Sequence, residues 1–472
     1  MFERRIEAPE EQKEFWVMAK ELPKASPEAF YRRVNRTLEE MEFSRQVWAI
    51  CEPAYADASR GGRPGIDPVV YLKMLMVGFF EDLPSERAIG SRCADSLSVR
   101  AFLGYSLTEP TPDHSTLGVI RERLSLEQIA AVHRVLLTAL YRHGLLKGRK
   151  LGIDSSVIEA NASLRGLQHR NSEDSYWAHV KKLAQEAGID PKDIKAVRRF
   201  DKQRPGRKTS NKEWVNPHDP EAKVGRTKDG ATDMIYKPEH VTDLESGAII
   251  AAEVRPGDAA DCTEASERVL AAIGTLSEVM PEVPVEKLGA EAAADEGYFA
   301  LEEVAQLQAC GIRTVISDPH AGRRRPEVAS KEQRSALRKA QRALSSASGK
   351  ALLRRRGEYL ERSFCHVLDH GGMRRATLRG AEKLSKRHLA AALTYNLSLL
   401  MRHLCGMGTP KQALAAAFSY LWSLLRHFLA LLQLKALTFP TRITSGDIPW
   451  RISITALSPP SCAKNRRFST GC

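Results

Sequence analysis

The order of short apolar segments between residues 150 and 317 constrains the fold more than any other feature of this sequence. Each segment is short and bounded by polar or turn-forming residues, which is typical of β-strands, and a helical segment separates the later ones. Two strands joined by a turn at Glu245-Ser246-Gly247, followed by alternating strands and helices, predict an α/β fold: a mixed sheet flanked by helices. The predicted strands lie at 151–158, 234–241, 248–254, the residues leading to Asp295, and 312–317, with a helix at about 262–279.

Helical patterns dominate the chain on both sides of this sheet. Residues 10–60 and 60–146 are predicted to be helical, and Ser85 and Asp113, which follow prolines, are candidate N-caps. A Leu- and Ala-rich helix is predicted at 388–437 as core or packing surface. Within it, residues 413–425 are apolar for 13 positions, too few for a membrane span of about 20 residues, so a buried helix is predicted. After residue 440 the periodicity disappears, which predicts a disordered tail.

Positive charge is concentrated in two tracts. The chain of 472 residues has a net charge of +13 and a pI near 9.3. Residues 191–212, inside a polar insert at 160–232, hold nine Lys or Arg and two Asp, and residues 321–356 hold 12 Lys or Arg and two Glu. The rest of the chain is therefore slightly acidic. Two concentrated cationic segments favour a polyanion such as DNA over a diffuse attraction to membranes.

Cysteine spacing and the N-terminus exclude several protein classes. The eight cysteines form no Cys-x-x-Cys pair, which argues against zinc fingers and a disulfide framework and for a reducing cytosol. The first residues are polar and charged, so no signal peptide is expected. We therefore expect a cytoplasmic protein.

Three acidic residues stand out as candidates for chemistry. Asp154 lies inside an apolar strand, Asp295 ends a strand-like run, and Glu361 lies on a predicted basic helix. Each has a structural alternative: a hydrogen-bonded buried Asp, a helix-capping Asp, and an exposed partner for a neighbouring arginine. Carboxyl ends of strands in open sheets are where ligands collect, which favours a functional role for Asp295. No single residue decides between the alternatives.

The three acids together make a stronger case than each alone. Three carboxylates brought together repel one another by about 4 kcal/mol per pair at 4 Å and an effective dielectric of 20. Divalent cations remove this penalty, because Mg²⁺ prefers carboxylate oxygens and keeps several waters. Two such ions about 4 Å apart can activate an attacking oxygen and stabilise a leaving one in phosphoryl transfer. Basic tracts beside such a site would hold a phosphate backbone.

The sequence resembles the bacterial insertion-sequence transposases of the DDE type, whose catalytic domain has a ribonuclease-H-like fold. The resemblance spans about 60–400 and depends on the order and spacing of several short motifs. Those motifs are Gly65-Ile66-Asp67-Pro68, Pro112-Asp113-His114-Ser115-Thr116-Leu117, Gly152-Ile153-Asp154-Ser155-Ser156, Tyr236-Lys237 with His240, Glu253-Val254-Arg255-Pro256-Gly257-Asp258, Ala294-Asp295-Glu296-Gly297-Tyr298, Glu361-Arg362-Ser363-Phe364, and Arg379-Gly380 with Lys383.

The resemblance implies that Asp154, Asp295 and Glu361 are the catalytic, metal-binding triad, with two Mg²⁺ or Mn²⁺ ions as cofactors. The sequence departs from the family at Leu368, seven residues beyond Glu361, where relatives usually have a lysine. Basic residues near the triad are expected to contact DNA. These are Arg198, Arg199, Lys202, Arg207, Lys208, Arg323, Arg324, Arg325, Arg354, Arg355, Arg356 and Arg362.

The resemblance also implies a domain organisation. An N-terminal helical segment (1–59) and a helical DNA-binding domain (60–146) would precede a ribonuclease-H-like catalytic domain (147–400) that contains the basic insert. C-terminal helices (401–439) and the tail (440–472) would follow.

Three functions are compatible with the sequence. A transposase would bind the terminal inverted repeats of its element, cleave double-stranded DNA and join the ends to target DNA as a homodimer in the bacterial cytoplasm, associated with the nucleoid. A nuclease of the same fold would cut without joining. A decayed or repurposed copy would bind DNA without catalysis.

Overall fold

The computed structural model describes the chain except for several short segments and both termini. The described residues are 26–55, 65–172, 174–205, 210–320, 330–415, 418–419 and 422–427. The predicted tail after residue 440 lies outside them.

Helices fill the described chain before the first strand, and their starts are set by capping side chains. Ser85 Oγ accepts a hydrogen bond from the Ala88 amide at 3.2 Å, and Asp113 Oδ1 accepts one from the Thr116 amide at 2.9 Å. Both predicted N-caps are therefore confirmed. The helices are α1 (Ser26–Glu40), α2 (Phe43–Cys51), α3 (Pro68–Phe80), α4 (Glu86–Asp95), α5 (Leu97–Leu103), α6 (His114–Arg123) and α7 (Leu126–Arg142).

Helix α3 is the centre of this helical region, because all of its residues are buried. The first two helices pack against it. Trp48 Nε1 of α2 donates to Asp67 Oδ1 at 2.8 Å, and the same Asp67 oxygen caps α3 through the Val69 amide. Helices on both sides of the predicted boundary at residue 59 thus share one core. The division into separate domains stays a prediction.

Strands begin at residue 150, as the sequence predicts. The other predicted strands are present as well, including the one that ends immediately before Asp295, and one short strand of the insert, Lys223–Arg226, joins the same sheet. The strands are β1 (Lys150–Ser155), β2 (Ile158–Glu159), β3 (Gln168–His169), β4 (Trp214–Val215), β5 (Lys223–Arg226), β6 (Thr232–Asp243), β7 (Ile249–Pro256), β8 (Glu291–Ala294) and β9 (Arg313–Ile316).

In the described part of the chain, the main sheet has seven strands and mixed direction. Strand β6 pairs antiparallel with β1, β2, β5 and β7, whereas β8 pairs parallel with both β1 and β9. Five of these strands therefore lie side by side across the sheet in the order β7-β6-β1-β8-β9. Strands β3 and β4 form a separate small ribbon. This arrangement confirms the predicted ribonuclease-H-like mixed sheet after a helical N-terminal region.

Helices cover both faces of the sheet. Leu151 and Ile153 of β1 pack with residues of α7, α10 and α11 in one core. On the opposite face, Gly152 faces α13. The helices after β1 are α8 (Tyr176–Glu186), α9 (Ile194–Gln203), α10 (Ala265–Val279), α11 (Leu301–Ala309), α12 (Lys331–Ser345), α13 (Ala347–Phe364) and α14 (Ala381–Cys405).

The basic insert contains a small helical hairpin with its own core. Val180 and Ala184 of α8 pack against Val197 of α9. Asp201 is buried on the same side and accepts from the Tyr176 hydroxyl at 2.9 Å and from Arg204 Nε at 2.9 Å. The inward face of α9 is thus apolar or neutralised, and its outward face carries the lysines and arginines.

Two expectations for the C-terminal region are wrong. The predicted helix 388–437 is not continuous, because α14 ends at Cys405, where Gly406 adopts a left-handed φ of 71°. Residues 413–425 are not a buried helix either, since the described residues Leu414, Phe418 and Trp422 expose 44%, 65% and 63% of their surface. In the described part of the chain, no helix is both long and apolar enough to cross a membrane.

The close contact between Gly152 and α13 generates the first prediction. A Cβ at residue 152 would lie 2.7 Å from Leu244 Cδ2 and 3.0 Å from Leu360 Cδ1, so Gly152→Ala must displace the Leu244 side chain and crowd Leu360 of α13. We expect a loss of about 1–3 kcal/mol in the free energy of unfolding, measured by urea denaturation. Gly274→Ala in α10, where no atom lies within 4 Å, is the matched control and should be neutral or stabilising. Equal effects of the two substitutions would contradict this packing.

Candidate active site

Asp154 lies near the carboxyl end of β1, between β6 and β8. Strand alternation puts Gly152 and Asp154 on the face that α13 covers, opposite Leu151 and Ile153. The Asp154 side chain is 19% exposed. Its Oδ1 accepts from the Ser155 amide at 2.9 Å. The carboxylate is therefore largely buried, but it lies close to where β1 ends.

Asp295 follows the carboxyl end of the neighbouring parallel strand β8. Its Oδ1 accepts from the Gly297 amide at 3.0 Å and caps a short 3₁₀ helix, Glu296–Tyr298. Asp295 therefore caps a helix, which was the structural alternative that the sequence offered for it. The side chain is also 47% exposed, and its Oδ2 faces the same group as Asp154. Capping and a role at the site are compatible, because each uses a different oxygen.

One guanidinium joins the two aspartates. Arg356 Nη2 on α13 lies 2.7 Å from Asp154 Oδ1 and 3.6 Å from Asp295 Oδ2. The Arg356 side chain is only 13% exposed, and its Nη2 is 3.5 Å from the Ile153 carbonyl oxygen. Arg356 was expected to contact DNA. In this structure it faces inward and balances the charge of the two carboxylates.

Glu361 is on the same helix but does not face this pair. It lies five residues beyond Arg356, which places it about 140° around a helix of 3.6 residues per turn, and it is exposed. No described group of three or more His, Cys, Asp or Glu side chains is arranged to hold a metal ion. The structure therefore brings Asp154 and Asp295 together without Glu361. Among the described residues Glu361 forms no ion pair, and its neighbour Arg362 pairs with Glu358 at 2.6 Å.

Asp261 is an acidic residue at the site that sequence reasoning missed. Its Oδ1 accepts from Ser155 Oγ at 2.9 Å and from Lys237 Nζ at 3.1 Å. A Cβ at Gly297 would lie 3.2 Å from Asp295 Oδ1 and 3.4 Å from Asp261 Oδ2, so the two carboxylates flank this glycine. Asp261 lies in the loop before α10. A loop position has no periodicity that would predict where its side chain goes.

A buried network around Glu239 fixes these segments to one another. Glu239 of β6 lies opposite Ser155 of β1 and is 1% exposed. It accepts from the Tyr298 hydroxyl at 2.7 Å and from Arg255 Nη1 at 3.2 Å, and it forms an ion pair with Arg268. Arg268 Nη2 also donates to the carbonyl oxygen of Asp261 at 2.9 Å. Glu239 therefore connects the loops that carry Asp295 and Asp261 to the strand beside Asp154.

Two buried histidines link the sheet to α13 and α14. His240 lies opposite Asp154 in β6, and its Nδ1 lies 2.9 Å from Ser363 Oγ of α13. Its Nε2 lies 2.9 Å from His388 Nε2 of α14. Burial lowers the pKa of His388 to about 3 and holds the pKa of His240 well below its usual value. Both rings are thus neutral near pH 7 and act as structural links.

Electrostatics at the site favour a bound cation. Burial raises the pKa of Asp154 to about 6, Arg356 opposes this rise, and the carboxylates of Asp295 and Asp261 add to it. Once Asp154 is ionised, the three carboxylates outnumber the two cations beside them, Arg356 and Lys237. Mg²⁺ is usually held by one or two carboxylates with waters and substrate phosphates completing its shell. The oxygens of Asp154 and Asp295 fit that donor set.

The predicted DNA-contacting residues divide into three groups. Arg198, Arg199 and Lys202 are exposed on α9, and Arg354, Arg355 and Arg362 are exposed on α13. Arg356 is buried against the aspartates. Arg207, Lys208, Arg323, Arg324 and Arg325 lie outside the described residues. Leu368, the position where relatives carry a lysine, is fully buried.

The raised pKa of Asp154 generates a pH prediction. An acid whose pKa is higher in the folded state costs stability once pH exceeds its folded value, here about 6, and costs nothing below its unfolded value near 3.8. Asp154→Asn should therefore stabilise the metal-free protein at pH 8 by up to about 3 kcal/mol. This gain should disappear between pH 6 and pH 4. Urea denaturation of the wild-type and variant proteins in EDTA at pH 4 and 8 measures the difference in unfolding free energy. A variant less stable than the wild type at pH 8 would contradict the raised pKa of Asp154.

The Glu239 network generates a second prediction. Glu239→Gln leaves two buried arginines without their counter-charge, so we expect a loss of about 2–4 kcal/mol in unfolding free energy. Glu253→Gln is the control. Glu253 lies 3.6 Å from the same Arg268 but is 50% exposed, so its loss should cost less than about 1 kcal/mol. Chemical denaturation in parallel compares them, and similar losses would show that Glu239 is not the centre of the network.

Two family models match separate parts of the chain. Residues 20–123, which include α1 to α6, match the model described as Transposase domain (DUF772). Residues 307–401, which include Arg356 and Glu361, match the model described as Transposase DDE domain. A comparison with curated proteins finds no match. One transposase domain model thus matches the helical N-terminal region and another matches the end of the mixed sheet with its last helices, and together they support a DDE-type insertion-sequence transposase.

Proposed function

We propose that this protein is a DNA transposase that binds the ends of its element and catalyses metal-dependent strand cleavage and strand transfer. The observation that carries the proposal is the pairing of Asp154 and Asp295 at the carboxyl ends of two adjacent parallel strands, with one guanidinium between them. Ligands collect at this position in open sheets. The two transposase domain matches support the same activity.

In this proposal Asp154, Asp295 and Glu361 are the catalytic residues and hold Mg²⁺ or Mn²⁺. Bound divalent ions would supply activation of an attacking oxygen and stabilisation of the leaving oxygen. The chain's own residues set the geometry: Arg356 keeps the two aspartates close, and the Glu239 network holds the loop of Asp295 against β6. For Glu361 to join them, α13 must turn or shift. Its attachment through Ser363 and His240 limits that movement.

Exposed cations on α9 and α13 would hold the DNA. The outward face of α9 carries Arg198, Arg199 and Lys202, while Asp201 of the same helix is buried and pairs with Arg204. Phosphate contacts of this kind provide affinity that depends strongly on salt. Its partners would be the terminal inverted repeats and target DNA, and the protein would act as a homodimer because both ends must be cut together. Its location would be the bacterial cytoplasm, with the nucleoid.

A second candidate function is DNA binding without catalysis. Two observations favour it: Leu368 is buried where relatives have a lysine, and Glu361 does not join the aspartates in a metal-binding group among the described residues. A nuclease that cuts without joining is the remaining alternative. The three functions differ in what they do to DNA that carries the element ends.

Cleavage of end-bearing DNA tests the proposal. Purified protein with Mg²⁺ or Mn²⁺ and a labelled duplex carrying an inverted repeat should nick the strand at the element end and join it to a second duplex. Asp154→Asn, Asp295→Asn and Glu361→Gln should each reduce nicking at least about a hundredfold, because each removes a carboxylate from the reacting centre. Denaturing gels measure both products.

Glu358→Gln is the matched control for Glu361→Gln, since Glu358 is an exposed Glu on the same helix that pairs only with Arg362. It should keep full activity. Nicking that persists in Asp154→Asn overturns the assignment of the aspartates. Binding without any nicking by the wild-type protein supports the inactive copy, and nicking without joining supports the nuclease.

A further inference from the structure

A cationic cleft lies beside the amino end of β9. It encloses about 490 Å³ between the end of α11, the start of β9 and one side of α12. Among the described residues that line it, three are basic and none is acidic. The lining residues are Gln308, Gly311, Ile312, Arg313, Thr314, Lys339, Arg342 and Ala343.

The packing of α12 determines which side chains reach the cleft. Ala340 and Ala343 are buried at 2% and 8% exposure, so this side of α12 lies against the sheet edge. Lys339 and Arg342, three residues apart, then occupy one flank of the helix, next to the cleft, and both are exposed. Arg338 is exposed on the same helix but does not line the cleft.

The three cations differ in how they are held. Arg313 forms an ion pair with Glu291, and its Nη2 donates to Ser346 Oγ and Ser348 Oγ at 2.9 Å each. Its guanidinium is therefore fixed in direction but already neutralised. In the described part of the chain, Lys339 and Arg342 have no ion-pair partner. Two free cations beside a fixed one suit a ligand that carries more than one negative charge.

The cleft is separate from the acidic site. Arg313 pairs with Glu291 at the start of β8, whereas Asp295 follows the opposite end of that strand. Four strand residues at about 3.3 Å each separate the two ends by about 13 Å. A phosphate in the cleft therefore cannot be the one at the aspartates. A DNA molecule that reaches both sites must cross the edge of the sheet at β9.

We infer that this cleft binds the phosphate backbone of double-stranded DNA at a point remote from the aspartates, through Lys339 and Arg342. The inference rests on the proposed function, since it adds a DNA contact to a protein proposed to act on DNA. The cleft would fix the path of the duplex along the sheet edge. Among the described residues its lining holds no acid, which distinguishes it from the mixed-charge surface of α13, where Arg362 pairs with Glu358.

Charge reversal on one helix tests the inference. Lys339→Glu and Arg342→Glu are each compared with Arg338→Glu, which makes the same charge change outside the cleft. Fluorescence anisotropy with a labelled duplex of about 40 base pairs should show about tenfold weaker binding for each cleft variant, and a slope of log affinity against log salt reduced by about 1. Arg338→Glu should change affinity less than about twofold and leave the slope unchanged.

Two further measurements keep the result interpretable. Melting temperatures should be equal for all variants, because the substituted side chains are exposed, and Arg342→Lys should keep wild-type affinity because it keeps the charge. If all three reversals weaken binding equally, or if none does, the cleft is not a DNA contact, and the proposed function is unaffected. If the wild-type protein binds no DNA, both the inference and the proposed function are overturned.

Discussion

The contact of Arg356 with Asp154 and Asp295 is the interaction on which the rest of the candidate site depends. It brings together side chains from β1, from the loop after β8 and from α13, which are 61 or more residues apart in the chain. Two carboxylates held close together are unstable without a cation between them, and the more so because Asp154 is largely buried. The fold supplies one from α13, and Gly152 permits the close approach of that helix. The packing of α13 on the sheet and the charge balance of the two aspartates therefore depend on each other.

In the proposed function, Arg356 occupies the position between the two aspartates that a metal ion would take. The guanidinium lies where a cation is most favoured, and the Glu239 network and the His240–Ser363 contact hold the surrounding segments. A divalent ion that binds both aspartates must compete with Arg356 for the same oxygens. Release of Arg356 would free a cation near the DNA and loosen α13, the helix that carries Glu361. The site and the helix would then change together.

The sequence predicts the sheet well because strand alternation is a local property. The alternation of residues 151–154 already shows which side chains face each side of β1. Because Asp295 directly follows a strand, the sequence also places it at the carboxyl end of that strand, as Asp154 is. Arg356 could not be separated from Arg354 and Arg355, because the direction of each side chain depends on how α13 crosses the sheet. Asp261 is in a loop, and its place depends on Ser155 and Lys237. The helix predicted through residue 437 ends at Gly406, where a left-handed turn outweighs the Leu and Ala pattern.

The most direct test of the account is the location of Mn²⁺ by anomalous scattering in crystals of the wild-type protein grown near pH 8. The account predicts an anomalous peak within about 2.5 Å of carboxylate oxygens from both Asp154 and Asp295, with Arg356 displaced from between them. Asp154→Asn crystals should lack that peak. A peak at other residues only, or no peak in the wild-type protein while Arg356 stays in place, would contradict the claim that this acidic pair is a metal-binding catalytic centre.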